Sequence, residues 1–65
     1  MKPGDHHWRW LFRDGRRTLF KDGIAVAWIH RVSADDWTVY TADGQSTFRR
    51  SLADARRTAH RLVGR

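Results

Sequence analysis

The chain has 65 residues, no cysteine and a formal net charge of +6. A domain of this length buries only about 60% of the surface its unfolded chain exposes, which leaves little room for a water-excluding catalytic pocket, and without thiols it has neither a disulfide nor a thiolate metal site. No apolar run approaches the roughly 18–20 residues that span a bilayer, and the start of the chain has no signal-type apolar stretch; the expectation is a soluble, cytoplasmic, non-enzymatic protein with no cofactor. The charge is unevenly placed. From Gly44 to Arg65 six arginines face one acid, Asp54, so this segment carries +5 of the total. A localised basic surface points to an anionic partner, of which phosphate is the commonest.

Residues 1–7, MKPGDHH, lack periodicity and read as a loose arm; residues 8–65 read as a single domain. Trp8, Trp10 and Phe12 alternate with Arg9, Leu11 and Arg13, the period of a two-faced strand. Asp14-Gly15 marks a turn, Arg17–Lys21 a second β-like run, and Asp22-Gly23 a second turn. Ile24–Val32 is the most apolar run and reads as a central strand, with Ile24, Val26, Trp28 and His30 on one side and Ala25, Ala27, Ile29 and Arg31 on the other. Trp37–Thr41 follows as a strand, then Asp43-Gly44, a third turn, and Thr47-Phe48 as a short edge segment. In these alternating runs Trp28 and Trp37 are expected in the core.

Ser51 followed by Asp54 resembles a capping box, and the run from Leu52 is free of Gly and Pro until Gly64. At 100° per residue Leu52, Ala55, Ala59, Leu62 and Val63 share an arc of roughly 100°, the expected buried face. Arg56, His60, Arg57 and Arg61 lie beside it, with Asp54 and Thr58 beyond. The expected fold is α+β: a small antiparallel sheet of three to four strands followed by one C-terminal amphipathic helix packed on one face.

The first candidate site is the helix flank and its approach, Arg49, Arg50, Arg56, Arg57 and Arg61, because guanidinium forks match phosphate oxygens and few acids neutralise them. A second basic group, Arg9, Arg13, Arg16 and Arg17, lies in the first hairpin, either as a DNA-facing strand surface or as ordinary polar alternation. Trp8 and Trp10 are candidate partner anchors, and exposed tryptophans also stack unpaired bases. His6 and His7 are adjacent and point apart, and no cysteine or carboxylate stands at matching spacing, so neither they nor His30 and His60 suggest a metal site. The aspartates are accounted for by turns and the helix cap.

The order of strands followed by a C-terminal helix, with Gly23-x4-Trp28, Trp37-Thr-Val-Tyr40 and Ser51-Leu-Ala-Asp-Ala-Arg56, resembles the small β-β-β-α domains of the AP2 and integrase arm-binding type. It is also similar to uncharacterised small proteins of bacteriophages and actinobacteria. The resemblance covers Gly23 to Val63. It implies a three-stranded sheet that enters a DNA groove with the helix supporting it from behind. This chain departs from that pattern in carrying its charge more on the helix side, so no residue is carried over as a base reader. The expected function is nucleic-acid binding, duplex DNA favoured. The alternative is a small regulator or interaction module docking on an acidic protein, as monomer or homodimer.

Overall fold

The structure is a computed structural model that describes residues 7–64. The expected N-terminal arm apart from His7, with His6 in it, and Arg65 at the other end lie outside the described residues. Within them the chain forms five strands and one helix: β1 (Trp8–Arg13), β2 (Arg16–Lys21), β3 (Ile24–Ser33), β4 (Asp36–Thr41), β5 (Ser46–Arg49) and α1 (Leu52–Val63). The strands make one antiparallel meander in chain order. The α+β class and the C-terminal helix are as expected; the strand count is five, not three to four. The extra strand forms because the last hairpin pairs all of Ser46–Arg49 with β4, from Tyr40↔Ser46 to Trp37↔Arg49, although only Phe48 in that segment is apolar.

The first two hairpins follow from their turns. Asp14 and Gly15 have φ of 54° and 74°, and Asp22 and Gly23 have 53° and 83°. Two successive positive φ angles define the type I′ turn, whose twist matches that of paired strands. Two-residue turns leave one register available, Arg13↔Arg16 in the first hairpin and Lys21↔Ile24 in the second. In β3 the alternation then slips: Leu19 pairs with Ala27 but Phe20 with Ala25, which leaves Val26 as the extra residue of a bulge.

The helix starts at Ser51, whose backbone is extended (φ −136°, ψ 154°) and whose Oγ accepts from the Asp54 N–H at 3.2 Å. Its inner face is Ala55, Thr58 and Ala59, all buried. Thr58, expected beyond the basic arc, is therefore inside; at 100° per residue the buried stripe runs about 140° from Thr58 to Val63. The helix packs over β3, β4 and β5. Its alanines let it approach closely, and the sheet answers with Leu19, Ala27, Ile29 and Val39, all fully buried.

There is no space for an indole in that layer, and this decides the side on which Trp28 lies. It stands across from Thr18 and Tyr40, on the face opposite the helix, and is half-buried there instead of entering the core as expected. Trp37 does pack against the core, as do Trp8 and Trp10 at the other flank.

With three large side chains at the centre, each matters. Leu19→Ala is expected to cost about 2–5 kcal/mol, a large share of a small domain's stability. Ile24→Ala, at a residue 67% exposed, should stay within about 0.5 kcal/mol. Urea denaturation followed by tryptophan fluorescence checks both.

Candidate nucleic-acid interface

On the helix side the cations are seated on aromatic rings. The register places Arg17 opposite Phe12, and its guanidinium carbon lies 4.6 Å from the Phe12 ring centroid and 5.2 Å from that of Trp37. Arg31, opposite Trp37 on β3, lies 5.0 Å from the same indole. Arg56 reaches over Trp10 at 5.9 Å, and Lys21 over Trp8 at 5.4 Å. Such contacts contribute about 0.5–1 kcal/mol each at exposed sites. Arg49, paired across from Trp37, donates to Thr47 Oγ1 at 3.1 Å and to the Phe48 carbonyl at 2.8 Å. Arg31 donates to the carbonyls of Ser33 and Ala34.

Trp8 and Trp10 close the same flank against the helix. Trp10 Nε1 donates to His60 Nε2 at 3.3 Å, and the Trp8 ring meets the imidazole edge-on at 4.9 Å. Both indoles are half-buried, joining β1 to the last turns of α1.

The expected helix constellation is thus only partly brought together. Arg49 lies across from Trp37, the ring shared by Arg17 and Arg31, and Arg56 lies over Trp10, whereas Arg50, Arg57 and Arg61, all exposed, lie on the approach and outer side of the helix with no ring beneath them among the described residues. Among the described residues Arg57 is the one arginine paired with a carboxylate, that of Asp54. The Arg57 guanidinium, with a lesser contribution from the Ser51 hydroxyl, holds the Asp54 carboxyl below its ordinary value. In the last hairpin the Thr41 hydroxyl and then the Gln45 amide do the same to Asp43.

The first-hairpin group is divided. Arg16 and Arg17 are strand neighbours and point to opposite faces, so Arg17 joins the helix side while Arg9, Arg13 and Arg16 share the other face with Phe20, Trp28, His30, Thr38 and Tyr40. No described element covers that second face. Tyr40 and Phe48 remain 44% and 52% exposed on it. Arg31 and Phe48 are candidate residues that the sequence alone does not single out. Counting the register outward from the two Asp-Gly turns assigns β1, β2 and the start of β3 to faces, up to the bulge at Val26.

Compared with protein-family models, curated proteins and solved structures, the chain matches none. Among the described residues no helix is long and apolar enough to cross a membrane.

Because the folded carboxyl of Asp54 is more acidic than an unfolded one, its stabilising contribution is present above the usual aspartate range, about pH 4, and is lost as pH falls through the lower folded value. Asp54→Asn should therefore lower Tm at neutral pH, with the gap to the parent protein closing below about pH 4; thermal melts across pH measure this.

Proposed function

We propose that this protein binds nucleic acid through phosphate contacts. The main contacts come from the helix side, with Arg17, Arg49 and Arg56 beside Arg50 and Arg61, Arg57 being offset by Asp54, and the second set from Arg9, Arg13 and Arg16 on the opposite face. The observation that carries this reading is that Arg17 and Arg56 are held over rings and not by acids. A carboxylate partner cancels a guanidinium's charge and occupies its donors, whereas a ring positions the group and leaves its N–H edges for phosphate oxygens. The preorganised side chain then loses less rotamer freedom on binding. The formal charge of +6 supplies long-range attraction to the same partner.

Anisotropy titration of a labelled oligonucleotide across salt concentrations tests the proposal. Affinity should fall steeply from low to moderate salt, and the double variant Arg17→Ala with Arg56→Ala should bind more weakly and flatten the salt slope by about 2, one for each phosphate contact removed. Salt-independent affinity, or a folded double variant that binds like the parent, would overturn it.

A further inference from the structure

The face opposite the helix carries three shallow clefts that follow its cations. The first, about 370 Å³, is lined by Arg16, Trp28, His30 and Tyr40. The second, about 290 Å³, shares Arg16 and adds Arg13, Asp14 and Thr18. The third, about 230 Å³, lies at Arg9, between Leu11 and Phe20. We infer that this face binds single-stranded nucleic acid, with an unpaired base against Trp28 and Tyr40 in the first cleft and the adjoining phosphate on Arg16 and Arg13. The inference rests on the nucleic-acid reading above and adds the strand state and the surface that reads it.

Three observations favour a single strand over other occupants. The first cleft sets two aromatic rings beside a guanidinium and an imidazole. That combination suits a planar base joined to a phosphate, and only an unpaired base can leave its neighbours to stack on protein rings. Tyr40 and Phe48 are also open enough to receive one, at 44% and 52% exposure, and Phe48 stands across from Thr38, next to Tyr40's strand, so the platform continues toward β5.

Width is the second consideration. Five strands spaced about 4.8 Å apart span about 19 Å, whereas the major groove is about 12 Å wide and admits a helix or a two-stranded ribbon. Lying flat, this sheet is too broad to enter it.

The third concerns a second copy of the chain. An isologous contact through this face would bring Arg9, Arg13 and Arg16 of both copies into one interface. The acids on this side do little to relieve that: Asp14 sits in the turn beside two arginines, and Asp36 accepts the Thr38 hydroxyl at 2.9 Å. A polyanion meets these arginines with opposite charge instead.

The experiment titrates the full chain with a short mixed-sequence DNA strand, its RNA equivalent and the corresponding DNA duplex, all labelled. The variants are Tyr40→Ala and Arg16→Ala, both at exposed residues, with circular dichroism as the check on folding. At least one single strand should bind about tenfold more tightly than the duplex and quench tryptophan emission. Each variant should weaken single-strand binding by about tenfold, and Tyr40→Ala should leave duplex binding unchanged. Duplex binding equal to or tighter than both single strands, or folded variants that bind single strands like the parent, overturns the inference; if the Arg17 and Arg56 double variant still loses affinity, the broader reading survives. Absence of binding to all three probes overturns both. A concentration-dependent dimer abolished by Tyr40→Glu would assign the face to a second copy and also overturn the inference.

Discussion

A single helix cannot cover five strands. A helix with its side chains is about 10–12 Å across, and the sheet spans about 19 Å, so α1 seats over β3, β4 and β5 and leaves the helix-side surface of β1 and β2 to be closed by side chains. Trp8 and Trp10 do this from β1, reaching His60 on the helix. Once aromatic rings stand at that boundary, the long cations of neighbouring strands and of the helix lie over them: Lys21 on Trp8, Arg56 on Trp10, Arg17 between Phe12 and Trp37. The cation-bearing flank is thus a consequence of the shortage of helix, and so is the exposure of the opposite face.

The same constraint explains how a small chain without disulfides assembles a core from so little. Leu19, Ile29 and Val39 are its only large fully buried side chains among the described residues. Alanines at 27, 55 and 59 bring helix and sheet close, a geometry that raises packing density and excludes bulky residues from the middle layer. Trp8, Trp10 and Trp37 therefore stand at the margins of that layer, where they bury large area against it. Trp28 is displaced further, to the uncovered side, where it becomes a wall of the first cleft.

Local chemistry was readable in the sequence, and longer-range geometry was not. The Asp-Gly turns, the Ser51 cap and the apolar stripe of α1 are each settled within a few residues, and each appears where its residues indicate. The side chosen by Trp28 depends on the alanines of a helix nearly thirty residues later, and on a bulge at Val26 that interrupts strict alternation. Thr58 carries a polar hydroxyl, yet it lies buried on the far margin of a stripe that must stretch to meet three strands. Grouping Arg16 with Arg17 failed for a simpler reason: adjacent strand residues face apart, so nearness in sequence is distance in space.

That last point changes what the charge distribution means. Counted along the chain, the positive charge belongs to the last third. In the folded molecule Arg57 is offset by Asp54, Arg50 and Arg61 point to solvent, and Arg49 and Arg56 are joined by Arg17 and Arg31 from strands whose segment is nearly neutral by count. The two faces then differ in kind. On the helix side the arginines lie mostly over half-buried indoles, with Phe12 beneath Arg17 the one ring that is 65% exposed, so the cations act chiefly through charge. On the uncovered side Tyr40 and Phe48 remain half open and Arg16 stands between two clefts, so ring faces and charge are available together. Charge alone attracts any polyanion; rings and charge in one place distinguish a strand whose bases are free from one whose bases are paired.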